Sequence, residues 1–158
     1  MHKIIMGLVF LLVMPLGLWA QDYPSQIEAL IDKDNSQSCK QAVELSLKYV
    51  KENPNSYEAN WLAAKAHRQY GEWVRREQLP GWKQTCRDYG KKGMQYGEKA
   101  IALQPKRPEG HLYYAVSVGT YADGVSVLTA LKEGLKGKTQ TGLENAYKYD
   151  KMYEDGAP

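Results

Sequence analysis

The chain has 158 residues, of which 43% are hydrophobic and 25% charged, and its net charge is +3. That composition excludes a disordered chain. So small a charge gives no reason to expect nucleic acid or an anionic membrane as a partner, and the length suits one domain with a real core.

Residues 1–20 read as a secretory signal. Lys3 supplies the positive start, Ile4 to Val13 form an almost unbroken apolar run, and Pro15 and Gly17 break it ahead of Ala20. The run is too short to cross a bilayer as a permanent helix. Leu18-Trp19-Ala20 is a passable cleavage site, and no Cys follows it to take a lipid. The expectation is an exported, periplasmic chain of residues 21–158 with a charge of +2, since Lys3 is the only charged residue removed. The alternative is an uncleaved N-terminal anchor.

Helical periodicity runs through almost all of the remaining chain, and no segment shows a period of two. It predicts helices at about 25–33, 39–52, 56–71, 84–103, 108–121, 124–136 and 139–151. Ala42, Leu45, Tyr49 and Val50 share one helical face; Ala59, Leu62, Ala63, Ala66 and Tyr70 share another. Asn53-Pro54-Asn55-Ser56 stops the second helix, and Ser56 caps the third. Gly71 is placed at the end of that third helix. The segment from Glu72 to Asp88 then reads as an inserted connector, with Trp73 and Trp82 either covering the core or forming a lid or docking patch. Gln104-Pro105 ends the fourth helix, and Pro108 suits the first turn of the fifth. Val125, Leu128, Leu131 and Leu135 give the sixth an apolar stripe, and Gly137-Lys138-Thr139 separates it from the seventh.

The two Pro junctions repeat one another: Pro, two linker residues, a starting residue, Glu, then a small residue, at Pro54 to Ala59 and at Pro105 to Gly110. A third copy lacks the Pro, with Glu144-Asn145-Ala146-Tyr147 echoing Glu98-Lys99-Ala100-Ile101. The offsets of 51 and 46 residues exceed the tetratricopeptide period of about 34, so the helix pairs carry insertions. Small residues belong where antiparallel helices cross, and Ala42, Ala63, Ala64, Gly93 and Ala100 stand at those places. Each Gly inside a helix costs about 1 kcal/mol against Ala. Close backbone approach is the reason to keep Gly93 and Gly97. The fold class is therefore all-α, a solenoid of tetratricopeptide-like hairpins with inserted helices.

Catalytic signatures are missing: there is no Gly-x-Ser-x-Gly, no His-Glu-x-x-His and no phosphate loop. His67 and His111 fall where a core or capping role is expected. No metal or other cofactor is expected, because no Cys-x-x-Cys exists. In an oxidising compartment, Cys39 and Cys86 are either joined in a disulfide or remain two separate buried thiols. The candidate binding surface is the concave side of the stack, where Trp61, Lys65, Arg68 and Gln69 recur at helical spacing. A Trp beside two cations suits a peptide or a carboxylate; packing of Trp61 between helices is the competing reading.

The run Ala100-Ile101-Ala102-Leu103-Gln104-Pro105 leads into Pro108-Glu109-Gly110-His111-Leu112-Tyr113-Tyr114-Ala115 and Val118-Gly119. An extra helix follows, then Gly142-Leu143-Glu144-Asn145-Ala146-Tyr147 and the terminal Asp155-Gly156-Ala157-Pro158. This order is similar to the TatT component of TRAP transporters, a bacterial periplasmic family. The same pattern occurs in eukaryotic regulators of microtubule dynamics, and the export signal selects the bacterial branch. The resemblance covers about residues 40–158. The bacterial family often carries a lipobox, absent here, and continues into further repeats where this chain stops, which reads as truncation. The resemblance implies a non-catalytic helical protein that associates with a periplasmic solute-binding protein in transport and offers a pocket to an apolar ligand. The residues alone support a protein partner or an acidic-ended ligand, and the alternative is a general scaffold for peptides or proteins in the cell envelope.

Overall fold

The computed structural model describes residues 22–151. The signal expected at residues 1–20 lies outside them. The described chain forms seven helices, α1 (Tyr23–Ile31), α2 (Ser36–Glu52), α3 (Tyr57–Arg76), α4 (Trp82–Leu103), α5 (Pro108–Gly124), α6 (Val127–Lys132) and α7 (Leu135–Tyr149), with no strand among the described residues. The fold is all-α and made of stacked helical hairpins.

Local chemistry sets the starts. The side chains of Asp22, Asn35, Ser56 and Ser126 accept backbone N–H groups three residues on, at 2.9 to 3.2 Å, which satisfies donors that a helix leaves open at its first turn. Pro108 occupies the first turn of α5, where its missing N–H costs nothing. Glu77, in the turn after α3, accepts both the N–H of Ser36 at 2.8 Å and its hydroxyl at 2.5 Å, so this turn also holds the start of α2.

Packing runs in chain order, α1 on α2, α2 on α3, α3 on α4 and α4 on α5. α5 also meets α3 and α7, so it lies at the centre and is buried on nearly every side. One core cluster joins Tyr23, Ile27 and Ile31 of α1 to Ala42 and Val43 of α2 and to Leu62 and Ala66 of α3. A second joins Ala64, Leu112, Tyr113 and Ala146. Trp61 packs against both.

The small residues act as expected at the crossings. A Cβ built on Gly97 would stand 2.8 Å from Tyr114 Cα, and one on Gly93 would stand 2.9 Å from Ser117 Cβ. α4 and α5 therefore meet main chain to main chain.

Two elements differ from the sequence reading. α3 does not stop at Gly71 but runs to Arg76, and α4 starts at Trp82, so the supposed connector shrinks to residues 77–81. Gly71 is an interior contact, because a Cβ there would meet Thr120 Cγ2 at 2.5 Å. The second difference is α6, which is six residues long and buries none of them. Gly134, at φ +64°, ends the turn that follows it, and Gly137 lies within α7. Of the stripe Val125, Leu128, Leu131 and Leu135, only Leu135 is buried, and it belongs to α7.

Candidate functional site

A cleft of about 370 Å³ opens between α1, α3 and α5. α3 sends Lys65, Arg68 and Gln69 into it, α5 supplies Leu112, Tyr113 and Val116, and Ile31, Asp32 and Asp34 close the α1 end. Three of the four residues expected on one binding face therefore line one cleft. They are half-buried and engaged rather than free. Lys65 Nζ lies 2.7 Å from Glu28 Oε2 and 5.6 Å from the Tyr113 ring centroid. Arg68 donates to Gln69 Oε1 at 2.5 Å and stands 4.0 Å from Glu72.

Glu72 gathers the cations behind this cleft. Its carboxylate accepts from Arg75 at 3.0 Å and from Arg76 at 2.6 Å. Burial pushes its pKa up, but the hydrogen bond from Arg76 and the charges of Arg68 and Arg75 outweigh that and hold it below the usual carboxylate range. Arg75 also reaches Asp123 at 3.1 Å, tying α3 to the end of α5.

Trp61 lies outside this cleft. Its ring stacks on Tyr113 with centroids 5.6 Å apart, and it borders another cleft with Tyr57, Arg107 and Glu109. There the Tyr57 hydroxyl donates to Glu109 Oε2 at 2.8 Å and accepts the N–H of Gly110 at 3.1 Å, while Arg107 closes on the same carboxylate. This network pins the start of α3 to the start of α5. Trp61 thus joins the two cores, as the packing reading held.

The remaining sequence candidates separate. Trp73 is half-buried in the last turns of α3 with Arg76 5.3 Å from its ring, and Trp82 opens α4 with Lys83 5.5 Å from its ring. Both belong to helices rather than to the connector, which is reduced to residues 77–81. Cys39 and Cys86 are buried and unbonded to each other. The Cys86 thiol donates to the Gly71 carbonyl at 3.4 Å, and burial pushes both thiols up to about 11. Of the two readings left open by the sequence, the structure holds the two separate thiols. His67 is enclosed between the Tyr89 and Tyr96 rings, and His111 bonds the Pro105 carbonyl at 2.9 Å. Among the described residues no group of three His, Cys, Asp or Glu side chains is placed to hold a metal, and no helix is long and apolar enough to cross a membrane.

The sequence reading missed a second concavity. A groove of about 640 Å³ runs along α7, floored by Ala122, Leu135, Thr139 and Leu143 and walled by Ala130 and Tyr147. The signal for it was Gly134: a glycine only ten residues after Gly124 leaves room for a short helix, too short to fold its apolar stripe inward.

The model of one protein family, regulator of microtubule dynamics protein 1-3, matches residues 24–154. No curated protein and no solved structure matches the chain. The match runs from α1 through α7 and overturns the resemblance to the TatT component of TRAP transporters, and with it the ground for expecting a solute-binding protein as partner. The bacterial branch had been chosen from residues 1–20, which lie outside the match. The chain belongs to the regulator of microtubule dynamics protein 1-3 family.

Proposed function

We propose that this chain is a non-catalytic binding module, a helical-repeat scaffold that takes an extended protein segment into the cleft between α1, α3 and α5. The observation that carries the reading is the make-up of that cleft. Ile31, Leu112 and Val116 give it apolar walls, while Lys65, Arg68, Asp32 and Asp34 bring charges of both signs to its lining. Apolar walls with a few fixed polar groups suit recognition of a side chain flanked by peptide backbone. Arg68, held by Gln69, is the group placed to take a carboxylate. The family's description, regulator of microtubule dynamics, supports regulation through protein contacts over catalysis.

Fluorescence anisotropy with extended peptides of varied charge tests this. Acidic peptides should bind best, and Lys65→Ala with Arg68→Ala should weaken them about tenfold, or about 1.4 kcal/mol. The same variant should lose no more than about 1 kcal/mol of stability, because the Lys65–Glu28 pair is partly solvated. Equal binding by the wild type and the variant would remove the cleft from consideration.

A second reading concerns location. Lys3, the apolar run from Ile4 to Val13 and the small residue Ala20 support export and a scaffold role in the cell envelope. The mass of the mature N-terminus tests it: a chain starting at Gln21 is expected, and one starting at Met1 in the exported fraction would end the idea.

A further inference from the structure

α6 shows its apolar side chains to solvent. Val127, Leu128 and Leu131 are 79, 76 and 73% exposed. One such residue is ordinary on any surface, but three in a single six-residue helix form a patch. Val127 lies three residues before Ala130 and so shares the side of α6 that walls the α7 groove. The apolar surface continues across Leu143 to Tyr147, which is 45% exposed.

Among the residues that line the groove two are charged, and their order is informative. Lys136 stands toward one end of the groove and Glu144 toward the other, both exposed and both lining it. Eight residues of helix place them about 12 Å apart along the axis. Gln140 lies midway and donates to Glu144 at 2.8 Å. Thr139, Leu143 and Tyr147 fall at spacings of four, in one row beside that line. The groove lining is therefore apolar, close to neutral, positive toward one end and negative toward the other. Turned end over end about Gln140, the pattern is its own complement, since Lys136 falls on Glu144 and Glu144 on Lys136. A surface that reads the same after a half-turn is what an isologous interface requires. An anionic membrane would call for cations all along the rim, and Glu144 stands in it.

We infer that the α6–α7 face is the two-fold interface of a homodimer, with α7 packed antiparallel to α7 of a second copy. Each charge pair then occurs twice, and the patch on α6 is covered together with the groove.

Sedimentation equilibrium of the purified chain over a range of concentrations tests this. The wild type should show a monomer–dimer equilibrium. Lys136→Glu alone and Glu144→Lys alone should each weaken it at least about tenfold, and the two changes combined should restore it. Leu131→Asp should abolish the dimer, with circular dichroism confirming an unchanged helical fold. A wild type that stays monomeric at every concentration overturns the proposal. So does a dimer indifferent to both reversals, which would place the interface elsewhere, and so does a double reversal that fails to restore association.

Discussion

Gly93 sits where a side chain has nowhere to go. Any Cβ there presses on Ser117, and the Ala64 carbonyl lies 3.4 Å away on the other side. Gly93→Leu must push neighbouring helices apart, at about 1–3 kcal/mol or more, whereas Lys92→Leu, one residue away on the exposed face, should cost under about 0.5 kcal/mol. Urea unfolding of the two variants checks this, and equal losses would mean that Gly93 is not at the contact. His67 is the other residue whose surroundings decide its chemistry. Its Nδ1–H donates to the Ala63 carbonyl at 2.7 Å, and its buried Nε2 has no hydrogen-bond partner. Burial lowers its pKa to about 4, below the ordinary value of 6.5. The neutral ring is the form the core accepts, so its contribution is complete above about pH 6.5. It falls away as pH drops toward 4, by up to about 3 kcal/mol. Stability measured at about pH 7 and about pH 4.5 should differ more in the wild type than in His67→Gln. An equal pH dependence would show that carboxylates alone carry the acid sensitivity.

At the scale of elements, the turn between α6 and α7 separates two glycines that look alike in the sequence. Gly134 has φ +64° and Gly137 lies inside α7, and a Cβ on either would meet open space. Gly134→Ala should therefore destabilise by about 1 kcal/mol through the left-handed backbone alone. Gly137→Ala should stabilise by about 0.5–1 kcal/mol through helix propensity. Thermal melts with opposite shifts are expected, and shifts of the same sign would place the helix boundary elsewhere. The choice between these glycines shows what the sequence could and could not convey. The Pro54 and Pro105 stops and the Ser56 cap were legible because their chemistry is local. Gly71 was misread because a helix end and a helix crossing both ask for glycine, and only the neighbouring helix tells them apart; Gly137, taken as a break, is an exposed position inside α7. The candidate cleft was legible in the same incomplete way. Lys65, Arg68 and Gln69 do meet in one place, but Glu28, 37 residues before Lys65, could not be foreseen as its ion-pair partner.

Across the whole molecule, stability rests on two core clusters joined by few residues. Helical repeats unfold as one unit only while the contacts between neighbours are strong. Trp61 touches both clusters and stacks on Tyr113. Trp61→Ala should cost less than the ~3–5 kcal/mol of a fully buried Trp, because Trp61 is half-buried. It should also lower the urea m-value and separate the transitions seen by helix and tyrosine signals. Loss of stability with a single, equally steep transition would show that other contacts couple the two halves.

Where α4 crosses α5, main chain lies on main chain, and such a joint holds no rotamers that could loosen with temperature or regroup around a ligand. The close approach is repeated where α7 meets α5, since a Cβ on Gly142 would stand 2.7 Å from Ala115 Cβ. Away from these crossings the helices can exchange one apolar side chain for another of similar volume, while the residues at them are confined to the smallest side chains there are.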